Sequence, residues 1–361
     1  MSEQRRRQPL VSVVIAAHNR QATIAETLAS VTNGTYRNVE IIVVDDGSTD
    51  ATAATVEPLL KHDPRIRLLR RDWGGVAAAY SAGLREARGD YVAYLDSDDL
   101  WHPAKLEKQV ALAQAEPELA FIYTFLRMID ANGRVMHDVP EQRYPRRALC
   151  RSLYESLAGA NSSALMRRSV LIEADKHTKG LHSRQDLMLQ LGIFANHPIG
   201  FVPEYLAAYR YTHGSLSADA GAMLESWRIV AGRAAGIVPR YAGRVCRWAE
   251  ARQYSELAEA FVWQRKYAAA AKLSLAALWR DPVRTTLNFL HSLERLATRA
   301  RRRQKSETEG PRFDACDPLL QIRPKEIFAG TAGRLVEALD QRRLRMISAF
   351  DQRIGDAGRH G

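Results

Sequence analysis

Asp96, Asp98 and Asp99 place three carboxylates within four residues, at the end of the apolar run Tyr91-Val92-Ala93-Tyr94-Leu95 and directly before Leu100-Trp101-His102-Pro103. Like charges a few ångströms apart repel and raise one another's pKa unless a cation or a polar ligand sits among them. A divalent metal holding a phosphate is the simplest chemistry that relieves such a cluster. Two further apolar runs end in the same polar way. Glu40–Val44 runs into Asp45-Asp46-Gly47-Ser48-Thr49-Asp50, and Leu10–Ala17 runs into His18-Asn19-Arg20. Taken alone, the Asp45–Asp50 cluster reads as helix capping. Three polar ends in register read as a site.

The elements that must position these ends follow from hydrophobic pattern. Leu10–Ala17 is β-branched and almost wholly apolar, as a parallel strand buried on both faces requires. Ala22–Val31 sets Ile24, Leu28 and Val31 on one helical face, and Asn33-Gly34 stops it. Glu40–Val44 predicts a second strand, Val56, Leu59 and Leu60 the next helix, Ile66–Leu69 a third strand, and Val76–Ala87 a helix opened by Gly74-Gly75. Its Ala77-Ala78-Ala79 suit close packing on the sheet, and Tyr91–Leu95 is the fourth strand. Strands alternating with helices predict an α/β fold with right-handed crossovers, whose ligands bind at the carboxyl ends of the strands. His18, Asp46 and Asp96–Asp99 all fall at those ends. Neither a G-x-G-x-x-G dinucleotide fingerprint nor a P-loop is present, so phosphates would be held by metal and not by a glycine cradle.

Val11–Arg20, Val43–Asp50, Gly74–Gly83 and Asp96-Ser97-Asp98-Asp99-Leu100-Trp101-His102-Pro103 resemble, in order and spacing, the family 2 inverting glycosyltransferases of GT-A fold, over about residues 9–217. The resemblance implies a mostly parallel central sheet flanked by helices. It also implies a nucleoside-diphosphate-sugar donor, a UDP-sugar being favoured, and a glycan or lipid-linked acceptor. Asp46 would read the nucleobase edge, with His18 and Asn19 beside the base. Asp96 and Asp98 match the D-x-D signature, Asp98 ligating Mg²⁺ or Mn²⁺ and Asp96 facing the ribose or a metal-bound water. Asp99 then reads as a helix-capping neighbour. Inverting transfer needs a base, and the matching place, Ser183-Arg184-Gln185-Asp186-Leu187, offers Asp186 at a helix start. Ile199–Ser217 resembles the segment that closes the domain, with Arg210 on phosphate and His213 as a further metal ligand. Tyr80-Ser81, Gln185 and Trp73 depart from the residues common in the family and bear on sugar identity.

Between tip and base, Leu119–Ile129 and Arg134–Met136 around Asn132-Gly133 predict a hairpin, and Asn161–Met166 a strand on the acceptor side. From about Ala220 the pattern turns helical. The expected organisation is a disordered 1–9, a GT-A domain over 10–219, a helical subdomain over 220–298, a charged linker over 299–326, and a basic amphipathic helix and tail over 327–361.

Composition bounds the rest. The 361 residues are 46% hydrophobic and 26% charged, as in a globular chain. Three scattered cysteines support neither a disulfide framework nor a zinc site. No apolar run reaches the roughly 20 residues of a membrane span, and 1–9 lacks a signal-peptide core, which predicts a cytoplasmic protein, at most at the inner face of the membrane. Residues 1–220 hold 26 Lys+Arg and 26 Asp+Glu, so the whole excess of +11 lies in 221–361, with 26 against 15. Such a segment faces an anionic partner or is simply solvated, and its basic amphipathic helix can make a peripheral membrane contact on anionic lipid, dock on its own domain or dimerise. Nucleic acid is disfavoured, since no aromatic stacking platform accompanies Arg301–Lys305. Beside the leading function, transfer in cell-surface polysaccharide, lipopolysaccharide or glycolipid synthesis, stand a non-catalytic nucleotide-sugar-binding scaffold and a nucleotidyltransferase.

Overall fold

The structure is a computed structural model that describes residues 8–157, 159–181, 183–211, 220–238, 243–301, 312–313 and 331–357. His213, the 1–7 part of the N-terminus and most of the expected 299–326 linker lie outside the described residues. The chain forms two compact units. The division is not one cut near residue 219: 147–156 belong to the second unit, and 310–323 return to the first.

The first unit opens with β1 (Val11–Ala17), α1 (Ile24–Thr32), β2 (Val39–Asp46), α2 (Thr52–His62), β3 (Ile66–Arg71), α3 (Val76–Glu86) and β4 (Tyr91–Asp96). Next come β5 (Leu100–Trp101), α4 (Lys105–Ala115), β6 (Phe121–Ile129) and β7 (Val135–Asp138). The short α5 (Leu149–Tyr154) belongs to the second unit. The first then resumes with α6 (Ala160–Ser163), β8 (Leu165–Arg167), α7 (Arg168–Asp175), α8 (Gln185–Phe194) and β9 (Ile199–Arg210). The strands form one sheet in the order β3-β2-β1-β4-β8-β6-β9-β5, with β7 on β6. The expected parallel pairs β1–β2, β1–β4 and β2–β3 are present. Past β4 the sheet is mixed, because β8 runs antiparallel to both β4 and β6.

β1 is central, which is why its side chains are apolar on both faces: Val11, Val13, Val14 and Ile15 are fully buried. Its register sets Ala17 beside Asp45 and Ala16 beside Asp96, so the acidic ends of β2 and β4 flank the end of β1 on one edge. The close approach of α3 to the sheet depends on Gly83, where a Cβ would stand 2.2 Å from Val14 Cγ1. The hairpin turns at Gly133, with φ of +76°, as its Asn-Gly predicts. The acceptor-side segment differs from expectation: Ala160–Ser163 is a helical turn, and only Leu165–Arg167 is strand.

The second unit comprises α5, α9 (Ala220–Ala234), α10 (Gly243–Trp263), α11 (Tyr267–Arg280), α12 (Pro282–Arg301) and α13 (Thr331–Ala357). Ala220, Leu257, Ala258, Phe261, Ala270 and Leu273 form an apolar cluster in it. A charged layer ties α13 down. Arg343 Nη2 donates to Asp281 Oδ1 at 2.8 Å, Arg284 Nε donates to Asp340 Oδ1 at 2.9 Å, and the Tyr154 hydroxyl donates to Asp340. Val336 and Ile347 are buried on the same helix. Part of the apolar stripe of α13 is thus turned into its own unit, while Leu335 and Met346 on the same helix stay exposed.

Asp351, also on α13, accepts from the backbone N–H groups of Cys150 and Arg151 at 2.7 and 3.1 Å. Burial pushes its pKa from 3.8 up to about 7. A folded state that holds a proton the unfolded chain has released loses stability as pH rises between those values. Asp351→Asn cannot ionise but keeps an acceptor oxygen, so it should flatten that loss. Thermal unfolding at about pH 5 and about pH 8 measures it, with the variant's midpoint above wild type only at the higher value.

Candidate active site

The site is assembled at the carboxyl edge of β1, β2 and β4. After β1, Asn19 takes a left-handed backbone with φ of +52°, which Asn tolerates better than most residues. Its side-chain oxygen accepts from Thr49 N at 2.8 Å, while its own N–H donates to Ser48 Oγ at 3.0 Å. His18 Nδ1 donates to the Asp46 carbonyl oxygen at 2.8 Å. His18 and Asn19 thus fasten the first loop to the second.

Asp46 is buried, and its carboxylate accepts from Gly74 N at 3.1 Å and Gly75 N at 2.7 Å, with an Arg71 guanidinium nitrogen at 3.4 Å. Gly47, with φ of +69°, leaves room for this: a Cβ there would stand 2.7 Å from Trp73 N. Trp73 itself is 62% exposed beside this corner.

At the end of β4 the three acids separate. Asp96 accepts from the Tyr80 hydroxyl at 2.6 Å, and Tyr80 is buried in a stack on Tyr94. Burial, and then the charges of Asp98 and Asp186, push the Asp96 pKa up to about 6. Asp98 has 17% of its side chain exposed, and Arg20 Nε lies 3.3 Å from its Oδ2. Asp99 is 1% exposed and no helix cap. Its carboxylate accepts from the Ser162 hydroxyl at 2.5 Å and from Arg210 N at 3.0 Å. Burial first, then the charges of Asp96 and Asp98, push its pKa well up. The helix it was expected to cap starts only at Lys105, with no side-chain cap.

Asp186 lies in the first turn of α8, behind Arg184 with φ of +58°, and accepts from Leu187 N at 2.8 Å. Burial raises its pKa. The Asp186 charge helps to raise the Asp96 pKa, so the base candidate and the acidic tip, distant in sequence, are near enough to interact electrostatically.

Arg210 stands away from the expected phosphate contact. It is 2% exposed, and its guanidinium donates to the carbonyl oxygens of Asp98 at 2.7 Å and Ala131 at 2.7 Å and to Glu26 Oε2 at 2.7 Å. Its donors are committed to holding the tip. Sequence reasoning missed Tyr80 and Ser162 as donors to the acids and Glu26 as an acceptor for Arg210; only the need of buried acids and of a buried guanidinium for partners pointed to them.

Among the described residues, no three His, Cys, Asp or Glu side chains form a ready cage for a metal. A cation shared with a diphosphate needs less, because Mg²⁺ commonly takes one or two carboxylates plus phosphate oxygens and waters. Asp98, with Asp96 beside it, fits that requirement.

Known proteins resemble this chain over part of its length. Glycosyl transferase family 2 matches residues 12–174, which include His18, Asp46 and the whole tip. The matched domain belongs to glycosyl transferase family 2. EpsH of Bacillus subtilis, provisionally named a glycosyltransferase, is 33% identical over 172 residues, 46% of this chain and 49% of that protein. An uncharacterized glycosyltransferase of Rickettsia typhi is 33% identical over 151 residues, 41% of this chain and 46% of that one. The chain thus spans about half the length of these two relatives. Among solved structures, S. aureus TarS 1–349 aligns with a TM-score of 0.57 at 19% identity, over 76% of this chain and 82% of its own. The mannosyltransferase PcManGT of Pyrobaculum calidifontis aligns at 0.51 and 19%, over 81% and 82%. At such identities these neighbours show the fold, a GT-A-like α/β unit with a helical C-terminal region.

Proposed function

We propose that the chain transfers a glycosyl group from a nucleoside-diphosphate-sugar to an acceptor hydroxyl with inversion. What supports this reading is that Asp186, far along the chain, lies near enough to the tip for its charge to raise the Asp96 pKa. The acceptor oxygen forms a bond to the anomeric carbon as the bond from that carbon to the diphosphate oxygen breaks. Asp186 takes the acceptor's proton on its carboxylate, and the nucleoside diphosphate leaves with the bonding electrons. The raised pKa of Asp186 makes it a stronger base than an exposed aspartate.

Asp98 would hold Mg²⁺ or Mn²⁺, with Asp96 toward the ribose or a metal-bound water, and the ion would supply Lewis-acid neutralisation of the leaving diphosphate. Asp46, held by Gly74 and Gly75, marks the nucleobase end, with His18 and Asn19 shaping its wall. Arg210 acts as a positioning residue for the tip. His213 is kept as a second metal-ligand candidate. A UDP-sugar is the favoured donor: a TarS structure is a complex with UDP-GlcNAc, although PcManGT was solved with GDP-Man and Mn²⁺. The acceptor would be a glycan or lipid-linked sugar in cell-surface polysaccharide, lipopolysaccharide or glycolipid synthesis, reached from the cytoplasm. No helix among the described residues is long and apolar enough to cross a membrane.

Thermal unfolding with UDP or GDP, each with and without Mn²⁺, tests the donor side. A ligand that binds only the folded state raises the midpoint by mass action. We expect the largest rise with UDP and Mn²⁺ together. No shift with any nucleotide would sink the reading.

A further inference from the structure

Helix α11 is apolar on two opposite sides. Ala270, Leu273 and Ala277 are buried against the rest of the second unit. Across the helix, Tyr267, Leu275, Leu278 and Trp279 are exposed, Leu275 by 67% and Trp279 by 82%. Their spacing at positions 267, 271, 275 and 278, with Trp279 alongside, is that of one continuous helical face. The next helix also exposes apolar side chains. Val283, Phe289 and Leu290 are exposed on α12, which packs on α11. Helices with an apolar second face are ordinarily covered, and large apolar side chains gathered on one exposed helix face mark an interaction surface.

The charges say what covers it. Between Gln264 and Leu290 the exposed charged residues are Arg265, Lys266 and Lys272, all cationic. The only acid in that stretch, Asp281, is buried and bound to Arg343. Lys272 lies one and two turns before Ala276 and Trp279, at the border of the apolar face. A second copy of the chain would bring the same cations against these, whereas an anionic surface neutralises them. Trp and Tyr at the ends of an apolar stripe, with lysine at its edge, suit the boundary between lipid headgroups and acyl chains. With 14 residues, α11 is too short to span a bilayer, so it would lie in the plane of the interface.

We propose that the exposed face of α11 and the adjoining part of α12 dock the chain on an anionic lipid surface. This assigns lipid contact to a surface other than α13, which turns Val336 and Ile347 into its own unit. It does not rest on glycosyl transfer, because vesicle binding is measured without donor or acceptor.

The test is vesicle co-sedimentation of the full chain, using phosphatidylcholine alone and an equimolar mixture of phosphatidylcholine and phosphatidylglycerol. Wild type should bind the mixed vesicles and release at high salt. Lys272→Glu should weaken binding about fivefold or more, and Leu275→Ser with Trp279→Ser at least about tenfold. Leu335→Ser, on the exposed side of α13, should bind as wild type. All of these side chains are exposed, and thermal unfolding checks that each variant stays folded. Failure of wild type to bind the mixed vesicles would overturn the proposal, as would undiminished binding by the Leu275/Trp279 variant. Vesicle-independent dimerisation that the same variant abolishes would assign the face to a second copy instead.

Discussion

Asp98→Ala should lower sugar transfer about a thousandfold while the folded structure survives, a loss of the size seen when one preorganised electrostatic contact is removed. The expectation rests on the unequal environments of the three acids. Asp98 is partly exposed, and its carboxylate has Arg20 as its ionic partner at 3.3 Å. Removing it leaves Arg20 free to turn toward solvent, and the backbone carbonyl that Arg210 holds is untouched. Asp99→Ala makes the contrast. It strands the buried Ser162 hydroxyl and Arg210 N–H, a loss felt as unfolding before it is felt as chemistry. Transfer rates, together with far-UV circular dichroism and melting curves of both variants, separate the cases. Near wild-type transfer by Asp98→Ala would refute the role given to the tip.

Asp186→Asn should cost the rate between about a hundredfold and ten-thousandfold, the usual contribution of a positioned base, with the KM for donor little changed. Asparagine keeps the volume and an oxygen for Leu187 N, so α8 should still start where it does. What disappears is the proton-accepting charge. The pH profile adds a second readout. Because burial raises the Asp186 pKa, wild-type kcat should fall on the acid side at a pH above the ordinary carboxylate value of 3.8, as the base becomes protonated. The residual activity of the variant should lack that limb. An unchanged acid limb would assign the base to another group.

The parts of the site legible in sequence are those made by local pattern. Val11–Ala17, Val39–Asp46 and Tyr91–Asp96 announce themselves because strands buried on both faces must be nearly all apolar, and their polar ends then mark one edge. Gly133 fixes its turn for an equally local reason. Partners from far along the chain were not legible. Asp99 looks like a cap because Trp101-His102-Pro103 follows it, yet its partners Ser162 and Arg210 lie 63 and 111 residues away. Arg210 reads as a phosphate ligand by resemblance to the family, but Glu26, 184 residues earlier, claims part of its guanidinium. Asn161–Met166 reads as one strand, although Asn161 and Ser162 turn as helix so that Ser162 can serve the tip through Asp96 N and Asp99.

The returning segment at Arg312 and Phe313 sets the order in which a new chain can become competent. Phe313 is buried with Leu100, Ile129, Val135 and Ala208, and its N–H donates to Gly133 O at 3.1 Å. Arg312 reaches Glu26 at 3.0 Å, the same carboxylate that steadies Arg210. A growing chain released through residue 211 carries every described acid of the tip and Asp186, but not this final brace. Only after the intervening helices have left the ribosome can the first unit close around Phe313. The last piece of the first unit is therefore synthesised after most of the helical unit, and a fragment cut between the two would expose the apolar surface that Phe313 covers.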